Sequence, residues 1–143
     1  MRILLVEDLD SDTLLLREAL REAGLGQDIV YAHDGREALD LLRSGAPLPN
    51  LVLLDLNLPR LSGGEVLDTI RGDERLASLP VVVLTTSIAP ADVAFAYKHL
   101  ANAYVRKPNG FVALLAVARA IRDFWTRTAT LPAALPATGP GSI

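Results

Sequence analysis

Leu51-Val52-Leu53-Leu54-Asp55 decides the fold: four large apolar residues end abruptly in a carboxylate, and Leu56-Asn57-Leu58-Pro59 and the pair Gly63-Gly64 follow. A short continuous apolar run bounded by turn residues suits a strand buried on both faces of a parallel sheet. Open α/β sheets bind their ligands just beyond the carboxyl ends of such strands, which puts Asp55 at a rim where chemistry can occur.

The same pattern repeats on either side. Upstream, Arg2-Ile3-Leu4-Leu5-Val6 reads as a strand ending in Glu7 and Asp8. Asp10 or Ser11 offers a helix cap, and Leu15, Leu16, Ala19, Leu20 and Ala23 recur at helical spacing until Gly24 stops the helix. Residues 28–32 form a second strand, after which Asp34 can cap a helix with Ala38, Leu39, Leu41 and Leu42 on its apolar face. Downstream of Asp55, Val66, Leu67 and Ile70 mark a helix running to about Gly72, and Val81-Val82-Val83-Leu84 is a β-branched strand ending in Thr85-Thr86-Ser87. Pro90 suits the first turn of a helix carrying Val93, Ala94, Tyr97 and Leu100. Residues 103–106 make a fifth strand, followed by Lys107-Pro108 and a long helix over 109–127. Five strand–helix units in strict alternation imply an α/β fold, a doubly wound five-stranded parallel sheet with right-handed crossovers and five helices on its two faces.

With 143 residues, half of them hydrophobic, the chain can bury one proper core and not two, so a single soluble domain over 1–127 is expected. Residues 128–143, rich in Ala, Pro, Thr and Gly, read as a disordered tail. A net charge of -3 and the lack of any Lys/Arg-rich run disfavour nucleic-acid binding. Cysteine is absent, which excludes disulfides and thiol catalysis and suits a reducing compartment. The chain enters its first strand at once with no leader or long apolar span, so the expected location is the cytoplasm, away from membranes.

Parallel strands in register place Glu7, Asp8, Asp55, Thr85 and Lys107 at the carboxyl ends of four strands, along one edge of the sheet. Three carboxylates gathered there repel one another unless a hard cation joins them, and an oxygen-binding divalent ion, Mg²⁺ above all, resolves the repulsion. Flanked by a metal and a lysine, Asp55 becomes a nucleophile toward phosphorus, with both cations neutralising charge on the transferred group.

The pattern Glu7-Asp8, Asp55 with Pro59 and Gly63, Thr85, and Tyr104 ahead of Lys107-Pro108 resembles the receiver domain of two-component response regulators over residues 1–127. That resemblance implies a flavodoxin-like strand order, 2-1-3-4-5, and a phosphoryl group accepted on Asp55 from a sensor histidine kinase. It implies that Glu7, Asp8, Asp55 and the main-chain carbonyl of Asn57 hold Mg²⁺, and that Lys107 and the Thr85 hydroxyl contact the phosphoryl oxygens. It also implies a switch in which Thr85 moves toward the phosphoryl group while Tyr104 rotates inward, and a cis peptide between Lys107 and Pro108. The wording Asp55-Leu-Asn-Leu-Pro59 and Val81-Val-Val-Leu-Thr-Thr-Ser87, with no output domain, resembles the single-domain regulators that partner phytochrome-type kinases. Thr86 stands where that family often has Ala or Gly; its bulk, with Asn57 and Ser87 nearby, is expected to tune phosphoryl lifetime.

Two other functions compete. A Mg²⁺-dependent phosphatase with an aspartyl nucleophile needs a second Asp two residues on as general acid, and that position is Asn57, so the chain is not expected to be an enzyme acting on an external substrate. A pseudo-receiver that binds without phosphorylation is disfavoured by the intact acid cluster, Thr85 and Lys107. His33 and His99 lack ligand spacing and read as surface or packing residues.

In the last helix Phe111, Leu114, Leu115, Ala118, Ile121, Arg122 and Trp125 describe the face that covers the sheet. A second stripe, Ala113, Val117, Ala120 and Phe124, is spaced four, three, four, the rhythm of a helix-to-helix seam. One sheet needs only one stripe, so a homodimer through this helix is expected, with Phe95 and Tyr97 of the preceding helix alongside.

Overall fold

The computed structural model describes residues 1–8, 11–58 and 60–132. Strands β1 (Ile3–Val6), β2 (Ile29–Ala32), β3 (Leu51–Leu54), β4 (Val81–Thr85) and β5 (Ala103–Arg106) form one parallel sheet in the order β2-β1-β3-β4-β5. Helices α1 (Ser11–Glu22), α2 (Gly35–Leu42), α3 (Gly63–Gly72), α4 (Pro90–Lys98) and α5 (Phe111–Asp123) alternate with them. This is the doubly wound architecture the alternating pattern predicts, in the flavodoxin-like strand order the family resemblance implies.

The apolar runs are continuous because the central strands have no solvent face. Ile3, Leu5, Leu51, Leu53, Val82 and Leu84 pack with Leu16 and Leu20 of α1 and with Ala118 and Ile121 of α5. The alternate positions Leu4, Val6, Val52, Leu54, Val81 and Val83 pack with Leu39 of α2, Leu67 and Ile70 of α3 and Ala96 of α4. Removing one of these fully buried leucines, as in Leu53→Ala, forfeits about 2–5 kcal/mol. The edge strands β2 and β5 are only partly buried.

Helix ends follow local chemistry. Asp34 accepts from Glu37 N at 2.8 Å to cap α2, and Ser62 accepts from Glu65 N at 3.2 Å to cap α3. At the end of α1, Gly24 adopts φ 87° and lets its own N–H and that of Leu25 return to Arg21 O and Leu20 O, a turn open to glycine at little cost. Helix α5 starts at Phe111, two residues later than expected, because Gly110 at φ 90° turns the chain before it. The final turn, Phe124–Thr128, widens into a π-helix closed by Ala129 N to Phe124 O, so the expected boundary at 127 falls inside a turn. The proposed cap Asp10, the loop residue Pro59 and residues 133–143 of the expected tail lie outside the described residues. No helix among the described residues is long and apolar enough to cross a membrane.

One fold feature prepares the site. Helix α1 leaves β1 toward one face of the sheet while α3 leaves β3 toward the other, which opens a crevice between the carboxyl ends of these two adjacent strands.

Candidate functional site

Ladder hydrogen bonds carry the chain one residue past the strands at that crevice. Glu7 N donates to Ala32 O at 3.0 Å, Asp55 N to Val6 O at 3.0 Å, and Lys107 N to Thr85 O at 2.7 Å. The placement of these side chains is therefore set by sheet register, not by loop conformation. Gly63 shares in it: its N–H donates to Leu56 O at 3.1 Å, and a Cβ there would stand 2.3 Å from Asp55 O, so only glycine lets α3 begin this close to Asp55.

The Lys107 ammonium donates to Glu7 Oε1 at 3.0 Å and to Asp55 Oδ2 at 3.4 Å. All three side chains are largely withdrawn from water, at 10% exposed for Lys107, 2% for Glu7 and 14% for Asp55. The remaining carboxylate oxygens have partners too. Glu7 Oε2 accepts from the Thr13 hydroxyl at 3.0 Å, and Asp55 Oδ1 accepts from Asn57 N at 3.0 Å. The Thr13 hydroxyl also contacts Asp8 O.

Burial holds the Glu7 carboxyl above its ordinary value; the Lys107 charge, the hydrogen bonds from Lys107 and Thr13 pull it back, and Asp55 pushes it further up. Burial alone would lower Lys107, but the charges of Glu7 and Asp55 and their hydrogen bonds outweigh it and hold the ammonium above its usual value. Lys107 is thus the fixed charge of the cluster.

Thr85 ends β4 beside this group. Leu54 pairs with Val83, so Asp55 is level with Leu84 and Thr85 stands one residue beyond. Its hydroxyl is buried and has no partner among the described residues, an arrangement that disfavours the fold by about 1–3 kcal/mol unless another group arrives to accept or donate. A buried free hydroxyl, a buried ammonium and a carboxylate held by a backbone N–H together fit an incoming group rich in anionic oxygens.

The fit to a hard divalent ion rests on donor chemistry. Glu7, Asp55 and the rim-exposed Asp8 offer only oxygen donors. Among the described residues no three acidic, histidine or cysteine side chains converge as a ready-made ion cage; the ammonium of Lys107 stands between Glu7 and Asp55.

Tyr104 is half-buried against the α2–α3–α4 side of the core, its hydroxyl donating to Ser87 O at 2.8 Å and its N–H to Tyr97 Oη at 3.2 Å. The Ser87 hydroxyl faces α4, donating to Asp92 Oδ2 at 2.5 Å and accepting from Ala89 N at 3.2 Å. Thr86 and Asn57 are exposed at the rim. The expected cis peptide before Pro108 is absent: among the described residues every peptide is trans, the isomer an X–Pro bond favours by about 0.5–1 kcal/mol when no contact selects the other.

The second stripe of α5 is uneven. Phe124 and Ala120 are exposed and Ala113 half-buried, but Val117 packs partly into this chain's own core. Phe124 meets Trp125 edge-on, and with Val105, Ala120 and Ile121 they line an apolar groove of about 480 Å³ beside β5. Tyr97 is exposed; Phe95, also exposed at its outer side, lies over Gly64 and stacks on His99 at 4.0 Å. His99 Nδ1 contacts Asp68 Oδ1 at 2.5 Å, whereas His33 Nδ1 is buried without a partner among the described residues. Two residues that shape the site's surroundings carry no signal in the sequence. Thr13 holds Glu7 from α1, and Arg60, at φ 63°, pairs with Asp34 at 2.8 Å and ties the β3–α3 loop to α2.

The response regulator receiver domain family matches residues 3–119. The probable methanogenesis regulatory protein FilR2 of Methanothrix harundinacea (strain 6Ac) is 42% identical over 127 residues, covering 86% of this chain and 82% of that protein. Response regulator Rcp1 of Synechocystis sp. (strain ATCC 27184 / PCC 6803 / Kazusa) is 40% identical over 137 residues, covering 92% and 93%, and has been solved in a Mn²⁺-bound form that superimposes with a TM-score of 0.82 over 92% of this chain and 98% of that one. The phosphorylated cyanobacterial phytochrome response regulator RcpA superimposes with a TM-score of 0.85 at 41% identity, over 92% of this chain and 98% of that one.

Proposed function

The chain belongs to the response regulator receiver domain family, and on that premise we propose that it accepts a phosphoryl group on Asp55 from the phosphohistidine of a phytochrome-type sensor histidine kinase. The observation that carries this reading is the Lys107 ammonium shared between Glu7 and Asp55 beside the unpartnered Thr85 hydroxyl. A carboxylate oxygen of Asp55 bonds to phosphorus as the phosphorus–nitrogen bond to the histidine breaks, and the histidine nitrogen keeps the electron pair. Asn57 N holds the other oxygen in place, Lys107 neutralises charge gathering on the phosphoryl oxygens, and the Thr85 hydroxyl donates to one of them.

Mg²⁺ is the proposed cofactor, held by the side chains of Glu7, Asp8 and Asp55 and the main-chain carbonyl of Asn57. When bound it would add positive charge to that of Lys107 against the charge gathering on the phosphoryl oxygens. The Mn²⁺-bound form of Rcp1 supports an oxygen-binding divalent ion, since the two metals share hard donors. Asn57, Thr86 and Ser87 border the phosphoryl position and tune its lifetime. The receiver unit spans residues 1–127 and is a signalling protein whose chemistry is confined to its own phosphorylation and dephosphorylation.

Thr85 and Tyr104 form the switch. Tyr104 joins the β4–α4 loop through Ser87 O and faces α4 through Tyr97, so a change at Thr85 reaches the α4–β5–α5 surface by this aromatic. That surface carries the proposed homodimer contacts Phe95, Tyr97, Ala113, Val117, Ala120 and Phe124. Pairing with a phytochrome-type kinase is supported by the likeness to the phytochrome response regulator RcpA, while FilR2, at similar identity, is a probable methanogenesis regulator.

The test has two arms. Mass spectrometry after acetyl phosphate, with and without Mg²⁺, on wild type and Asp55→Asn is expected to give a single base-labile phosphoryl group on Asp55 that requires Mg²⁺ and is lost in the variant. Transfer from an autophosphorylated phytochrome-type kinase is expected to outpace transfer from an unrelated histidine kinase. Equal rates would reject the pairing, and no modification of Asp55 under any donor would reject phosphoacceptance.

A further inference from the structure

Thr13 holds both acids that follow β1, although it belongs to neither β1 nor the loop that carries them. It lies in the first turn of α1, its side chain buried, with its hydroxyl directed at Glu7 Oε2 at 3.0 Å and at the main-chain oxygen of Asp8. A threonine hydroxyl in a helix commonly bonds back along its own chain; this one also reaches into the acid cluster.

We infer that Thr13 is a positioning residue for the acid cluster, orienting Glu7 and Asp8 toward the divalent cation. This rests on the proposed role of those two acids as cation donors. Glu7 has three rotatable bonds and a carboxylate whose two oxygens face different partners: Lys107 takes Oε1, and Thr13 takes Oε2. Without the hydroxyl, Oε2 of a carboxylate only 2% exposed loses its donor, and the carboxylate is free to rotate toward Lys107 with both oxygens. The same hydroxyl anchors the backbone at Asp8, which sets where the exposed Asp8 carboxylate starts from. One proton serves two acceptors, so Glu7 and Asp8 are placed relative to each other by a single group. Partners that orient a metal ligand in this way typically change metal affinity by about 10- to 100-fold when removed.

The test is isothermal titration of Mg²⁺ into wild type, Thr13→Ser and Thr13→Val, with thermal melting of the same proteins in metal-free buffer. Ser keeps the hydroxyl and Val keeps the shape. The expected result is a Thr13→Ser affinity within about twofold of wild type and a Thr13→Val affinity weaker by about tenfold at unchanged stoichiometry. Thr13→Ala, which removes the hydroxyl without risk of crowding, is expected to match Thr13→Val should the latter fold poorly. Two results would overturn the inference while leaving the proposed function standing: hydroxyl-free variants that bind Mg²⁺ as wild type does, or a Thr13→Ser variant as weak as Thr13→Val. A wild-type protein that takes up no Mg²⁺ overturns the cation reading itself, and the inference with it.

Discussion

Lys107 Nζ lies 3.4 Å from Asp55 Oδ2, a contact that reaches past β4 from the end of β5 to the end of β3 and is largely screened from water by its surroundings. With Glu7 3.0 Å away on the other side, one ammonium balances two carboxylates.

Lys107→Met should therefore do more than abolish transfer. It leaves Glu7 and Asp55 facing each other without a cation, and breaking a buried pair from one side costs about 3–5 kcal/mol; partial exposure of Asp55 puts the expectation near the lower figure. Urea unfolding should show a loss of about 3 kcal/mol without metal. Millimolar Mg²⁺ should restore more stability to the variant than to wild type, because a divalent ion supplies the missing charge. Equal Mg²⁺ effects on both proteins would show that the ion does not bind at these carboxylates.

Glu7 sets a pH dependence of known sign. Burial holds its carboxyl above the ordinary value of 4.5, so the folded chain binds this proton more tightly than the unfolded chain does. That contribution favours the fold below about pH 4.5 and is lost as pH rises through the folded-state value. Glu7→Gln, which cannot titrate, lacks the dependence. The stability of wild type minus that of Glu7→Gln, from urea unfolding in metal-free buffer, should fall as pH rises above about 4.5; a flat or rising difference would contradict the direction of the shift.

Tyr104 fastens the β4–α4 loop through its hydroxyl, 2.8 Å from Ser87 O. Tyr104→Phe keeps the ring and removes the donor, an expected loss of about 0.5–1.5 kcal/mol. Hydrogen exchange separates this contact from a generic packing effect. Amides of residues 87–92 should exchange faster in the variant, while those of β1 and β3 shift only with global stability. Unchanged exchange at 87–92 would remove Tyr104 from any route between Thr85 and α4.

These side-chain contacts mark where sequence reading runs out. The central strands are legible because burial on both faces writes itself as runs such as Ile3–Val6 and Leu51–Leu54. The meeting of Glu7, Asp55 and Lys107 follows in part from that legibility: parallel register levels Glu7 with Asp55, while Lys107, two residues beyond that level after β5, reaches back with its long side chain. Thr13 is not legible: its hydroxyl could cap, bond back along α1 or face solvent, and only the approach of α1 to β1 selects Glu7. The aromatic ring of Phe95 is similar, turned onto Gly64 by the contact of α4 with α3, so a residue nominated for an outer seam also serves inside the molecule. Helix α5 begins late because Gly110 takes a positive φ, and its last turn widens into a π-helix for which spacing gives no cue.

Leu100 completes the end of α4 in a conformation that suits glycine. Its N–H returns to Tyr97 O and that of Ala101 to Ala96 O, the same pair of bonds that Gly24 makes possible after α1, but here a leucine sits at φ 71°. The left-handed conformation costs an L-residue roughly 1–2 kcal/mol, and the extra unfolded-state freedom of glycine takes back about 0.4–1 kcal/mol. The side chain is 62% exposed, so little burial is lost. Leu100→Gly should gain about 0.5–1 kcal/mol and raise the melting temperature by roughly 2–3 °C, measured by calorimetry. A lower melting temperature would mean that the leucine side chain is held by a contact stronger than the strain.

Phe124 tests the proposed dimer. It is 49% exposed at the wall of the apolar groove beside β5, where an aromatic of this size gains most from being covered. Among the described residues its one ring contact is the edge-on approach to Trp125 at 5.0 Å, so Phe124→Asp should leave the fold within about 0.5 kcal/mol of wild type, as surface changes usually do. In an interface the same change places a carboxylate in an apolar seam and should shift the protein to monomer in light scattering at micromolar concentration, before and after phosphorylation. Trp125, the single tryptophan of the chain, lines the groove and gives a second readout. Its emission in wild type should shift to the blue as concentration rises through the dimerisation range, and in Phe124→Asp it should not. An unchanged oligomer mass in the variant would move the interface away from the outer face of α5, to a surface that excludes Phe124.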